Sequence, residues 1–273
     1  LRGAAPVDNK LKEQIESSDL SVVIAGFKEF EDKEFIQTAY TEWGASGLAA
    51  VWAESNTREA IYNAFRRKET FATTGSRIKV RFFAGYEIDK VLSAEDPVSF
   101  AYSKGVTMGS DILESDGKAP SFFVWALRDI KRAPLDRVQI IKGWTEVSGR
   151  TYEKVFDVAC SWGIAPDPET HRCANNGAKV NLDNCEISKN VGANELKTIW
   201  KDPEFNPSIK AFYYVRVLEN PTCRWSTWDA IKSGNKPRAD VAPTIQERAW
   251  SSPIWYVPNN RGLAAVNILP DEI

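Results

Sequence analysis

The stretch that decides the predicted fold is Gly44-Ala45-Ser46-Gly47-Leu48-Ala49-Ala50-Val51-Trp52-Ala53-Glu54, and Asn56-Thr57-Arg58-Glu59 follows it at the head of a helical pattern. A short apolar run that opens after glycines and leads into a helix is typical of a buried strand in a parallel sheet. The three-residue spacing of Asn56 and Glu59 matches a capping box and predicts that the helix begins there. The stretch therefore predicts the closing strand and helix of an α/β domain.

Glu54 and Arg58 are the candidate catalytic residues of this unit. Glu54 would lie at the carboxyl end of the strand, where parallel α/β folds collect ligands and catalytic groups. Arg58, on the first turn of the helix, could hold an anionic ligand. The alternative is structural: Glu54 bonds amides at the helix start and Arg58 pairs with a neighbouring acid on the surface.

From Gly75 onward the sequence has the rhythm of strands and turns. Apolar Ile78, Val80 and Phe82 alternate with basic residues, as in a strand with one solvated face. Further strands are predicted at residues 121–127, 137–144, 152–160, 211–218 and 254–257, and the second and third of these form a hairpin around Ser148-Gly149. We therefore place a domain boundary after residue 74, with residues 1–74 as a connector and the last strand and helix, and residues 75–273 as a β-sandwich.

Composition describes a globular protein and excludes several partners. The chain has 273 residues, 43% hydrophobic and 26% charged, and a net charge of -2. This near-neutral balance gives no broad positive electrostatic potential that would attract nucleic acid or an anionic membrane. No apolar run is long enough to span a bilayer. The chain begins with Leu1 rather than Met, so we expect a mature form, an excised piece or an incomplete reading frame.

Four cysteines lie in the second half of the chain: Cys160, Cys173, Cys185 and Cys223. They allow two disulfides in three connectivities, with free buried thiols or a metal site as the alternatives. Paired cysteines would place the protein in the periplasm or outside the cell, because cytosolic thiols are kept reduced. His171 is the only histidine, so any His-dependent catalytic machinery or metal centre on this chain must use it.

Ten tryptophans admit two interpretations. Large aromatic side chains usually build cores and domain interfaces, but a set of exposed rings could also bind sugars or other flat ligands. The segment Arg224-Trp225-Ser226-Thr227-Trp228-Asp229 predicts a structured corner in which some rings are partly exposed.

Four longer motifs carry a family resemblance. They are residues 45–54 as quoted above, Lys68-Glu69-Thr70-Phe71-Ala72-Thr73-Thr74-Gly75 leading into Arg77-Ile78, Ala211-Phe212-Tyr213-Tyr214-Val215-Arg216-Val217-Leu218-Glu219, and Ile245-Gln246-Glu247-Arg248-Ala249-Trp250-Ser251-Ser252-Pro253-Ile254-Trp255-Tyr256. Together they resemble the C-terminal half of a bacterial family catalogued as a domain of unknown function. That family is similar to the PHP (polymerase and histidinol phosphatase) metallohydrolases, which hydrolyse phosphoesters and, in one branch, other esters.

The resemblance implies an α+β fold in which the closing strand and helix of a PHP-like barrel precede a β-sandwich. PHP enzymes hold two or three metal ions on His-x-His and Asp-x-His strands, and neither motif occurs here. The resemblance thus implies that divalent metal ions bind only with an N-terminal metal-binding half of the same protein. The substrate would be a small ester or phosphoester, and this chain alone would be inactive.

Two other functions compete with the hydrolase prediction. One is a non-catalytic β-sandwich that binds a glycan or a protein through exposed tryptophans and the loop between Cys173 and Cys185. The other is an enzyme that combines Glu54, Asp111 and His171, although nothing in the sequence places these three residues together.

Overall fold

Antiparallel strands dominate the structure, a computed structural model that describes residues 47–259 except 147, 238 and 240, together with residue 13 and the segments 27–30 and 33–36. The predicted connector at residues 1–43, apart from those short pieces, lies outside the described residues. The strands are β1 (Phe27–Phe30), β2 (Lys33–Ile36), β3 (Leu48–Val51), β4 (Thr70–Thr73), β5 (Lys79–Gly85), β6 (Val106–Thr107), β7 (Asp111–Leu113), β8 (Ser121–Leu127), β9 (Leu135–Thr145), β10 (Thr151–Cys160), β11 (Glu195–Lys201), β12 (Ala211–Glu219), β13 (Thr222–Cys223), β14 (Thr244–Ile245), β15 (Arg248–Ser251) and β16 (Ile254–Val257). The helices are α1 (Arg58–Arg66), α2 (Pro97–Lys104) and α3 (Trp225–Lys232).

Two sheets organise the chain. The larger has eight strands, in the order β10-β9-β12-β15-β4-β3, with β16 beside β12 and β7 beside β16. The smaller has the order β11-β8-β5-β6. Every pair in the two sheets is antiparallel except β16 with β7, and within the described residues neither sheet closes into a barrel. The fold is mixed α+β, mostly antiparallel strand with few helices.

The core lies between the two sheets. Phe82 of β5 and Phe122 of β8, from the smaller sheet, are buried in one cluster with Ile140 of β9 and Val215 of β12, from the larger sheet. The rings of Phe122 and Tyr213 meet across this core at a centroid distance of 4.4 Å. The sheets therefore face each other in a sandwich-like arrangement.

The outer face of the smaller sheet is covered as well. Phe83 and Phe123 point away from the main core and are buried with Ala101 of α2. This second layer explains why the sequence of β8 is apolar on both faces, as predicted for a central strand. The hairpin of β9 and β10 and the strands β12 and β16 also confirm their predictions within a residue or two.

The opening strand is not the buried parallel strand that its sequence predicts. β3 pairs antiparallel with β4 and, among the residues that the structure describes, lies at the edge of the larger sheet, where Leu48 is 42% exposed. The reason is the connection: after α1 the chain reverses at Lys68, which has a φ of 58°, and returns directly as β4. A parallel neighbour would need a crossover to a strand that runs the same way.

Two smaller results concern the same region. The residue that caps α1 is Thr57 rather than Asn56, since the Thr57 side chain accepts a hydrogen bond from the amide of Ala60 at 3.3 Å. The larger sheet contains strands from both sides of residue 74, and the division of the chain at that residue stays a prediction.

None of the helices described is long and apolar enough to cross a membrane.

Candidate functional site

The predicted catalytic residues Glu54 and Arg58 lie on the surface. Glu54 follows β3, Arg58 begins α1, and both side chains are exposed. Neither forms a hydrogen bond or an ion pair with another described side chain, and the helix start is bonded by Thr57 instead. Their catalytic role stays a prediction.

The three residues of the alternative enzyme hypothesis lie on separate elements. Glu54 follows an edge strand, Asp111 begins β7 and pairs with Trp255, and His171 lies in the loop before Cys173 with its ring 5.1 Å from that of Phe156. The structure does not bring them together.

The four cysteines form two disulfides, Cys160–Cys173 and Cys185–Cys223. The first joins the end of β10 to the loop that follows it, and the second joins a long loop to β13. The prediction of paired cysteines is confirmed, and one of the three connectivities is selected.

A polar cleft of about 580 Å³ lies beside the first disulfide, but the carboxylate that lines it, Asp136, is already hydrogen-bonded, as is the neighbouring Asp157. Asp136 accepts hydrogen bonds from Arg137 at 2.8 Å, from Asn176 at 3.0 Å and from Gln246 at 3.3 Å. Asp157 accepts from Arg137 at 2.9 Å. Burial alone would lower the pKa of Arg137, but the two aspartates raise it, so this network is a structural one.

A second cleft, of about 440 Å³, differs in kind, and we call it the α3 cleft. Its lining includes Trp225 and Trp228 of α3, Ser76, Glu247 and the disulfide of Cys185 with Cys223. Its volume is in the range of small-molecule sites, which are typically aromatic with a few polar groups.

The helix that provides the aromatic wall is held by one short segment. The amide of Arg224 donates to the carbonyl of Pro243 at 2.9 Å, and the Thr227 hydroxyl donates to the same carbonyl at 2.8 Å. This anchoring buries Thr227 and turns the opposite side of α3 outward. Trp225 and Trp228, three residues apart, therefore share one face of the helix.

Buried oxygen atoms without hydrogen-bond partners lie at the floor of the α3 cleft and directly behind it. Among the described residues, no partner is found for either carboxylate oxygen of Glu219, for Oε2 of Glu247 or for Oγ of Ser76. Glu219 is completely buried directly behind the floor, and its amide donates to the carbonyl of Glu247 at 2.9 Å. Buried polar groups are nearly always bonded, so these atoms call for an explanation.

Electrostatics make Glu219 unusual. Its pKa is raised to about 7, chiefly by burial and also by the charges of Glu247 and Asp129, while Ser76 and Arg132 oppose the rise. The Ser76 hydroxyl is thus near enough to act on this carboxyl group without hydrogen-bonding geometry. Near neutral pH, Glu219 can accept or donate a hydrogen bond.

Sequence reasoning identified the tryptophans of this cleft but not its carboxyl groups. Glu219 and Glu247 are both contained in the long motifs that carry the family resemblance. The available signal was a carboxylate at the last position of the alternating strand β12. Nothing local indicated that Ser76, far away in sequence, lies beside it.

The chain was compared with known proteins. A family model described as "Protein of unknown function (DUF3604)" matches residues 9–258. No curated protein matches the chain, and neither does any solved structure. The match spans most of the sequence, so the chain belongs to the DUF3604 family of proteins of unknown function.

Proposed function

We propose that this chain is the C-terminal portion of a PHP-like metal-dependent hydrolase of the phosphoesterase or esterase class. Its role would be to carry the metal-binding half of the same protein on β3 and α1. The relation to PHP enzymes rests on the motif resemblance, because the matching family has no stated activity.

The observation that carries this proposal is an apolar strand at the edge of a sheet. Within the described residues β3 has β4 as its one neighbour. Next to it, α1 exposes Tyr62 by 61% and Phe65 by 51%. Unpaired apolar edges are templates for pairing, and exposed apolar patches mark interfaces. Gly47 directly precedes β3, so the occupant that we propose for this edge is the polypeptide N-terminal to it in the sequence.

The same edge is fixed firmly to the sandwich. The indole of Trp52, just after β3, donates to the carbonyl of Val80 at 2.8 Å. The guanidinium of Arg81 lies 3.6 Å from the centroid of that ring. A partner bound at β3 would therefore be held in a defined orientation relative to the sheets.

The described residues do not themselves fit a metal centre. No group of three or more His, Cys, Asp or Glu side chains among them could hold a metal ion. We therefore assign no hydrolytic step to Glu54, Arg58 or any other described residue. Divalent metal ions and the ester substrate belong, in this proposal, to the N-terminal half.

The proposed compartment is the periplasm or the extracellular space. Two disulfides are consistent with an oxidising compartment. Thiol titration of the protein as isolated from its source, under denaturing conditions, tests this. No reactive thiol is expected, and four reactive thiols would place the protein in the cytosol.

The decisive experiment for function compares the native polypeptide with this chain. Its intact mass should exceed 30.6 kDa, with His-x-His and Asp-x-His strands upstream. The native protein should hydrolyse p-nitrophenyl phosphate or p-nitrophenyl acetate and lose this activity with EDTA, whereas the 273-residue chain should be inactive. A native mass of 30.6 kDa, or chelator-sensitive hydrolysis by this chain alone, would contradict the proposal.

Two variants of the native protein test the proposed interface. Leu48→Asp and Phe65→Asp place charge on the exposed β3–α1 surface and should lower activity and thermal stability together. Ile164→Asp is the matched control, because Ile164 is 51% exposed and lies shortly after β10, at the opposite end of the strand order from β3. Equal effects of all three substitutions would contradict the proposal that the β3–α1 surface is an interface.

A further inference from the structure

The α3 cleft has an aromatic wall that is partly open. Trp228 is 39% exposed, and Nζ of Lys232, one helical turn later, lies 5.6 Å from the centroid of its ring. Trp225 on the same face is half-buried. An indole surface of this kind accepts the apolar face of a flat or ring-shaped ligand.

The polar groups at the floor of the cleft favour a ligand that carries hydroxyl groups. Ser76 and Glu247 line the floor, and no partner is found in the described part of the chain for Oγ of Ser76 or Oε2 of Glu247, whereas the fully buried Glu219 does not reach the cleft. Leaving such atoms unpaired costs free energy, which a ligand that donates and accepts hydrogen bonds would recover. The polar cleft differs, because the carboxylate of Asp136 already accepts hydrogen bonds from neighbouring side chains and is not left for a ligand.

The rim of the cleft is basic. Lys131, Arg132 and Lys189 line it and form no ion pair with any described residue, while the acidic residues that line the cleft are Glu186 and Glu247. Three unpaired cations disfavour a cationic ligand, although the aromatic wall alone would accept one. They favour a ligand with a carboxylate or another anionic group.

We propose that the α3 cleft binds an acidic saccharide, with the sugar ring against Trp228, ring hydroxyls at Ser76 and Glu247, and the anionic group at Arg132 and Lys189. The inference does not depend on the proposed hydrolase role, because such a site would serve a catalytic or a non-catalytic protein alike. It gives a specific ligand class and site to the alternative of a glycan-binding module.

The test is a titration of the 273-residue chain with digalacturonic acid, galactobiose and choline, followed by tryptophan fluorescence and by the indole N–H signals in ¹H–¹⁵N spectra. Digalacturonic acid should give a saturable change with a Kd of about 1 mM or lower. Galactobiose should bind about tenfold more weakly, and choline should not bind. Added salt should weaken the binding of the acid, because the rim contacts are exposed charge pairs.

Three variants locate the site. Trp228→Ala should abolish binding, and Lys189→Gln, an exposed change that leaves the fold intact, should remove the preference for the acid over galactobiose. Trp162→Ala is the control, because Trp162 is 56% exposed and lies outside the α3 cleft. The proposal is overturned if no saturable change occurs up to about 50 mM, if choline binds best, if galactobiose binds as tightly as the acid, or if Trp162→Ala and Trp228→Ala behave alike.

Discussion

The main-chain amide of Glu219 donates a 2.9 Å hydrogen bond to the carbonyl of Glu247, which brings two carboxyl groups to the same end of the larger sheet. Glu219 ends β12, and Glu247 directly precedes β15. The fold thus places a completely buried acid behind the floor of the α3 cleft, where only one of the two carboxyl groups reaches the cleft surface.

The first prediction concerns the pH dependence of stability. The pKa of Glu219 is about 7 in the folded chain and about 4.5 ordinarily, so the folded state holds the proton more tightly. The resulting stabilisation is complete below pH 4.5 and is lost as the pH rises to 7. At 1.36 kcal/mol for each pKa unit, the loss is about 3 kcal/mol.

Glu219→Gln isolates this contribution from those of other groups. The variant should match the wild type near pH 4 and be the more stable of the two at pH 8, as measured by urea denaturation across the pH range. Glu247, Asp129 and Arg132 act on Glu219 and are kept in the variant. A stability difference that does not change with pH would show that Glu219 titrates normally.

The second prediction ranks the two disulfides. Cys185–Cys223 spans 38 residues and Cys160–Cys173 spans 13. A longer closed loop removes more entropy from the unfolded chain, by about 4 kcal/mol for the first and about 3 kcal/mol for the second. Replacing both cysteines of a pair by alanine should therefore cost more for Cys185 and Cys223. Urea denaturation of the two double variants decides the order, and the reverse order would contradict it.

How far the sequence predicted the fold depended on where each strand finds its partner. β8, β9, β10 and β12 were predicted because alternation and apolar content report burial directly. β3 was predicted as a strand but with the wrong placement, because the same apolar run fits a buried parallel strand and an antiparallel edge strand. Its place depends on the turn at Lys68, which the pattern of Leu48 to Glu54 does not contain.

The candidate site shows the same limit. Trp225 and Trp228 could be named as potential ligand contacts from composition alone. The raised pKa of Glu219 arises from its burial near Glu247 and Asp129, and local periodicity does not predict contacts between residues so far apart in sequence. The pairing of Cys185 with Cys223 is likewise a property of the folded chain, since four cysteines permit three connectivities.

The third prediction concerns a buried ion pair. Nζ of Lys142 lies 2.5 Å from Oδ2 of Asp202, whose side chain is fully buried and also accepts a 2.8 Å hydrogen bond from Tyr213. Removing one partner leaves a buried charge, so Asp202→Ala should destabilise the chain by about 3–5 kcal/mol. The control is Lys104→Ala, which breaks an exposed pair with Glu87 and should cost less than about 1 kcal/mol. Equal losses in thermal unfolding would mean that the Lys142 pair is solvated.

The fourth prediction concerns a glycine covered by an aromatic ring. Gly143 of β9 pairs with Phe212 of β12, and a Cβ at Gly143 would collide with the Phe212 ring. Gly143→Ala should therefore force the ring aside and cost about 1–3 kcal/mol through overpacking. The contact is tested with a double-mutant cycle in urea, because Phe212→Ala removes the atoms that the new methyl group meets. Adding Gly143→Ala to Phe212→Ala should cost clearly less than adding it to the wild type. If the two changes are additive, the ring does not occupy the space above Gly143, and the loss must come from the backbone of β9.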